Sequence, residues 1–137
     1  MNNIINVMSD ESCLPDSCPF NCLNRLFSRK WILYILKDLF EGKKYFNEFK
    51  KTNPVMSNAS LSNNLKYLED EGIIVKKLLD DKKHTTEYYL SDKGKKMNRI
   101  LYEMILFGLD ELVDSDDEDA KNETKILYEE LLINHKT

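Results

Sequence analysis

A chain of 137 residues with 42% hydrophobic residues, four Gly and three Pro has the size and make-up of a single, mostly helical globular domain. No apolar run approaches the roughly 18 residues of a membrane span. The N-terminus has no charged start ahead of an apolar core, so neither a membrane anchor nor a signal peptide is expected, and three cysteines then point to a reducing, cytoplasmic compartment.

The net charge of −4 hides a division. Residues 1–24 carry three acids and no Lys or Arg, residues 25–100 carry 17 basic and 10 acidic side chains, and residues 101–137 carry 3 basic and 11 acidic ones. A basic middle with acidic flanks implies one surface turned toward a polyanion and another turned away.

Residues 1–17 are polar and irregular and read as an arm of low order. Cys18-Pro19 then marks a helix start, because proline is tolerated in a first turn. Phe20, Leu23, Leu26 and Phe27 give that helix its apolar side. The stretch 30–40 is the most apolar: Trp31, Ile32, Ile35, Leu36, Leu39 and Phe40 fall at helical spacing, and Gly42 ends the run. Trp31 is expected in the core. Tyr45, Phe46 and Phe49 predict a short third helix between Lys43-Lys44 and Lys50-Lys51. Asn53-Pro54 forces a turn after it, since a residue before proline is pushed out of helical geometry.

The next stretch organises the chain. Ser57 is a good N-cap, Leu61, Leu65 and Leu68 form one apolar stripe, and Gly72 stops the helix. On the wet side sit Asn58, Ala59, Ser62, Asn63 and Lys66, short hydrogen-bonding groups and one cation. Two β-rich runs follow, 73–79 and 85–90, around the polar tip Asp80-Asp81-Lys82-Lys83-His84. A polar-faced helix followed by a hairpin with a basic tip is the pattern of a winged helix-turn-helix. Its helix enters a major groove and its wing touches the backbone beside it.

Ser91 caps a further helix over 92–113, apolar on more than one side through Met97, Ile100, Leu101, Met104, Ile105 and Phe107. That excess predicts a second subunit packed against it. The acidic run 114–119 reads as a break and 124–133 as a last amphipathic helix. The fold class is therefore mainly α with a small β-hairpin wing. The expected divisions are an arm over 1–17, a winged helix-turn-helix with a dimerisation helix over 18–113, and an acidic C-terminal helix over 114–137.

Catalysis has little support. There is no Gly-rich phosphate loop and no Gly-x-Ser-x-Gly, and His84 and His135 lack plausible partners in sequence, so neither enzyme activity nor a cofactor is expected. Cys13, Cys18 and Cys22 leave three readings open. A thiol at a helix N-terminus favours a reactive thiolate, which suits a redox sensor at Cys18, with Arg25 and Arg29 further along. Metal binding is disfavoured by spacings unlike Cys-x-x-Cys. Simple packing is the third.

These motifs taken together resemble one family. Cys18-Pro19, Lys30-Trp31 opening an apolar helix, Tyr45-Phe46-Asn47-Glu48-Phe49, the run from Ser57 to Ile73 ending Leu68-Glu69-Asp70-Glu71-Gly72-Ile73, and Glu87-Tyr88-Tyr89-Leu90-Ser91-Asp92-Lys93-Gly94 are similar to the HxlR family of bacterial transcriptional regulators, itself similar to MarR regulators. The resemblance spans roughly residues 18–112 and implies a homodimer on a palindromic operator in double-stranded DNA, with terminal helices at the interface. It also implies oxidant or electrophile sensing through Cys18 in some members. Three departures stand out. Ser28-Arg29 replaces a usual glycine pair, Asn64 replaces a frequent Arg, and the wing lacks proline.

The resulting assignment places Asn58, Ala59, Ser62 and Asn63 against bases and Ser57, Lys66, Lys82 and Lys83 against phosphates. Two alternatives remain: a regulator answering a small apolar ligand in the dimer crevice, and a winged-helix interaction module without DNA binding.

Overall fold

A computed structural model describes residues 17–79 and 86–134. Nearly all of the expected N-terminal arm, Cys13, the wing-tip residues Lys82, Lys83 and His84, and His135 lie outside the described residues.

Helix α1 (Pro19–Phe27) begins as its sequence predicts, with Cys18 extended at the N-cap and Pro19 in the first turn. Helix α2 (Ile32–Phe40) starts later than the apolar spacing predicts. Trp31 is not inside it but caps it in the left-handed region at φ 78°, the one non-glycine residue with positive φ among the described residues. An L-residue there costs about 1 kcal/mol. Contacts to the corner offset that cost. Asn64 donates through Nδ2 to Lys30 O at 3.0 Å, and Trp31 packs half-buried against the core with its ring 5.2 Å from that of Tyr34.

Helix α3 (Phe46–Thr52) is fixed at its start by Glu48, whose Oε1 accepts from the backbone N–H groups of Tyr45 and Lys44 at 3.0 Å each. Helix α4 (Asn58–Asp70) is capped by Ser57, which accepts from Ser60 N at 3.0 Å, and is left through Gly72 at φ 76°. Strands β1 (Ile74–Leu78) and β2 (Thr86–Leu90) pair antiparallel in the register Ile74↔Leu90 to Leu78↔Thr86. The wing is also tied to the body. Tyr45 bridges Glu87, and Tyr88 N donates to Lys44 O at 2.8 Å, so the residues before α3 extend the hairpin edge.

Helix α5 (Asp92–Lys95) is a single turn. Ser91 accepts from Gly94 N, and Gly94 is required by a close approach: a Cβ there would stand 2.1 Å from Ile73 O. The single helix expected over 92–113 is broken. The chain turns at Lys96-Met97, continues as α6 (Asn98–Phe107) and ends in a wider turn, Gly108–Leu112. Met97 at the break is buried in the core with Leu101. Helix α7 (Glu118–Leu132) also differs from its expected start at 124. Asp117 caps it by accepting from Ala120 N, and Glu118 and Asp119 occupy the first turn. The acidic run thus starts the helix instead of separating it, because negative side chains favour the positive helix end.

One core unites these elements. Ile32, Ile35, Leu36 and Leu39 of α2 meet Phe49, then Leu61, Leu65 and Leu68 of α4, then Ile74, Leu101 and Leu132. No helix among the described residues is long and apolar enough to cross a membrane.

Candidate nucleic-acid interface

The α3–turn–α4 unit is fastened from beneath by a carboxylate that lies on an apolar helix. Asp38 of α2 is fully buried. Its Oδ2 accepts from Thr52 Oγ1 at 2.6 Å and from Asn53 Nδ2 at 2.9 Å, at the end of α3, while Lys37 reaches Oδ1 at 3.2 Å. A buried charge is tolerated only when so paired. Met56 N donates to Asn53 O at 3.1 Å and closes the turn, and Lys50 Nζ donates to Met56 O.

On this base α4 shows two different faces. Leu61, Asn64, Leu65 and Leu68 are buried. Ser57, Asn58, Ala59, Ser62, Asn63 and Lys66 are all exposed, so the six residues assigned to DNA from this helix are together on one open run. Lys66 sits 3.6 Å from Asp70, a surface pair of little energy that leaves it available to a phosphate.

The wing base is held by a polar cluster. Glu87 is buried at its edge and accepts from Tyr45 Oη at 3.2 Å, with Lys44 Nζ at 3.1 Å. Donation from the Tyr89 hydroxyl, and then from Lys44 and Tyr45, holds its carboxyl below the ordinary value despite burial. Glu87 in turn raises Lys44. The two backbone N–H groups on Glu48 lower its carboxyl likewise. Phe49 and Tyr88 meet edge-to-face at 6.4 Å, joining α3 to β2.

The cysteine-bearing helix reaches the same unit from the other side. Cys18 is buried, at 4% exposure, and Cys22 is half-buried. Arg25, expected near Cys18, donates instead to Cys22 Sγ at 3.4 Å. Arg29 turns to α4. Its Nε donates to Asn64 Oδ1 at 2.8 Å and its guanidinium lies 4.2 Å above the Tyr67 ring. Burial, and then Glu71, raise the Tyr67 hydroxyl against the opposing pull of Arg25 and Arg29. Two departures from the family pattern, Arg29 and Asn64, are therefore one contact.

Sequence reading did not find Asp38, the Glu87 cluster or the Arg29–Asn64 bond. A charge at position 38 between Ile35, Leu36 and Leu39 was the available signal for the first, since it falls on the helix's apolar face. The other two join residues 42 and 35 positions apart and leave no local trace.

The sequence matches the HxlR-like helix-turn-helix family across residues 26–116. The chain belongs to that family. Among its HxlR-like relatives, the uncharacterized HTH-type transcriptional regulator YvaP of Bacillus subtilis (strain 168) is 33% identical over 90 residues, covering 65% of this chain and 83% of YvaP. The reduced form of the transcriptional regulator YodB from B. subtilis superposes with a TM-score of 0.63 at 27% identity, covering 72% of this chain and 98% of YodB. The redox regulator HypR in its reduced form gives 0.62 at 27% identity, covering 66% and 89%. The protein is thus a transcriptional regulator with a winged helix-turn-helix DNA-binding fold.

Proposed function

We propose that this HxlR-like protein is a cytoplasmic homodimer that binds a palindromic operator sequence-specifically and releases or changes its grip when Cys18 is oxidised or alkylated. The division of α4 carries the DNA reading. Its buried side is rigidly seated, and its open side offers two Asn amides, two Ser hydroxyls, one methyl and one ammonium with no acidic residue among them before Glu69. Asn58 and Asn63 suit adenine edges and Ala59 a thymine methyl, with Ser62 adaptable to either. Ser57, Lys66 and the wing lysines Lys82 and Lys83 would hold phosphates. Affinity for mixed genomic DNA that falls steeply with salt is the expected result; flat salt dependence would instead favour the interaction-module reading.

The dimer is supported by an apolar face that one chain leaves open. Phe20 and Leu23 of α1 and Ile100, Phe107 and Leu112 on and after α6 are exposed, and an apolar groove runs along Leu33, Ile100, Met104 and Phe107. Burying such a face in a two-fold dimer would set the two α4 helices at a fixed separation, which the DNA repeat must match.

Cys18 stands buried at the N-cap of α1. Its seat is tight, so a disulfide to the second subunit, to Cys13 or to Cys22 would require α1 to move. The α1–α2 corner passes such movement to α4 through Arg29 and Asn64. YodB is known in reduced and diamide-treated forms and HypR in reduced and oxidised forms, which supports a thiol switch by analogy. Operator binding should change when wild type is titrated with diamide, and Cys18→Ser should not respond. A Cys18→Ser protein that responds like wild type removes Cys18 from this role.

A second reading is favoured by one cavity. About 340 Å³ of apolar space lies between α2, α6 and α7, lined by Phe40, Leu101, Met104 and Leu131 with Tyr34 and Tyr128. A small apolar effector seated there would act between the dimer face and the core.

A further inference from the structure

Val55 is the most exposed large apolar side chain among the described residues, at 84%. It stands at the centre of the four-residue turn Asn53-Pro54-Val55-Met56, closed by the bond from Met56 N to Asn53 O. Such positions are ordinarily taken by Gly, Asn, Asp or Ser, which stabilise turns through backbone freedom or side-chain bonds. A β-branched apolar residue gives the turn neither. Its neighbours make the mount rigid. Met56 is fully buried, its carbonyl accepts from Lys50, and the Asn53 side chain is bonded to Asp38 and to Phe49 O. The chain therefore directs one apolar side chain inward and holds the one before it outward.

The place matters as much as the exposure. Val55 precedes Ser57, the cap of α4, by two residues, and residues at the start of a recognition helix are those that meet base edges. The exposed residues that flank it, Pro54, Ser57, Asn58 and Ala59, carry no charge, and the nearby Lys50 ammonium is turned to Met56 O. Val55 lines neither the apolar cavity between α2, α6 and α7 nor the apolar groove along α6. The major groove displays one apolar group that such a side chain can read, the C5 methyl of thymine.

We propose that Val55 is a specificity-determining residue that packs against the C5 methyl group of one thymine in each half-site. The proposal rests on the DNA-binding reading above and adds a base to it. The wild-type protein should first select its preferred sites from a random duplex pool. Each thymine in a selected site is then replaced singly by deoxyuridine, which removes the methyl group and keeps every hydrogen-bonding atom. At one position per half-site the wild type should bind the uracil duplex about fourfold more weakly, the weight of one buried methyl group. Val55→Ser, a substitution the turn accepts, should bring the thymine-to-uracil ratio at that position to about one, while Val55→Ile should keep it. Both should melt with the wild type, because so exposed a side chain contributes little to packing.

Three results overturn the proposal while leaving DNA binding intact: no thymine position shows a methyl effect, Val55→Ser retains the effect, or Ala59→Ser abolishes it while Val55→Ser does not. A wild-type protein that selects no sequence overturns the DNA-binding reading and this proposal with it.

Discussion

The molecule presents two open surfaces made on opposite terms. Around α4 the exposed residues are short and polar, and the support beneath them is polar too: Asp38 holds Thr52 and Asn53, and Asn64 holds Lys30 and Arg29. Along α6 and the turn that ends it, the large apolar side chains Ile100, Phe107, Leu112 and Val113 are exposed between the charged Arg99, Glu103, Asp110 and Glu111, and the support beneath them is apolar packing of Leu101 against α7. Directional bonds fix the angle of a helix that must fit a groove. Non-directional burial suits a face whose partner is another apolar surface. The difference is therefore one of tolerance: the first surface should fail when a single hydrogen-bonded group is removed, and the second only when its apolar character is reversed.

The largest expected effect tests that directly. Asp38→Ala strands the Thr52 hydroxyl and the buried Asn53 amide, and an unsatisfied donor costs about 1–3 kcal/mol each. Urea unfolding should show it, with DNA binding lost in the same variant. A loss under about 1 kcal/mol would mean the carboxylate is not what seats the turn.

Reversing the other surface comes next. Phe107→Glu with Leu112→Glu should raise the dimer dissociation constant by at least roughly 100-fold, given about 1.5–3 kcal/mol for each large side chain returned to water. Sedimentation at micromolar concentration reads it. Helical content should be unchanged, since both side chains are exposed in one chain. A wild-type protein that sediments as a 16.2 kDa monomer removes the dimer outright.

A smaller effect separates specificity from stability on α4. Asn63→Ala should lose about 1–3 kcal/mol of discrimination at one base pair. Its melting temperature should stay with wild type, whereas Asn64→Ala, one residue on and buried, should lower it.

The smallest effect concerns the wing base. Glu87 and Glu48 bind protons less readily in the folded chain than in the unfolded one. Their stabilisation is therefore complete above the ordinary carboxyl value of 4.5 and is lost as the pH falls through their lowered values. Glu87→Gln should flatten the stability curve below about pH 5 and leave it parallel to wild type above. Equal slopes for the two proteins in acid would show that Glu87 is not the group responsible.

Much of this arrangement is decided locally and can be read locally. Ser57 and Gly72 bound α4 because a hydroxyl satisfies an orphan N–H and a glycine takes a positive φ, whatever surrounds them. The period of Leu61, Leu65 and Leu68 orients the helix, and orientation alone leaves Asn58, Ala59, Ser62, Asn63 and Lys66 outside. Proline at 19 and 54 and the alternation of the hairpin act in the same short-range way. What only the tertiary structure decided involves residues far apart in the chain. Trp31 takes the left-handed region, at odds with its own preference, because Asn64 and the core hold the corner. Asp38 is accommodated on an apolar face because the end of α3 arrives with two donors. The helix expected over 92–113 is interrupted at Lys96-Met97, just after Gly94 seats its backbone against Ile73 O, a contact no local signal announces. In each case a local preference worth about 1 kcal/mol is outweighed by burial or by a buried hydrogen bond of greater size, and those gains exist only once the distant partner is in place.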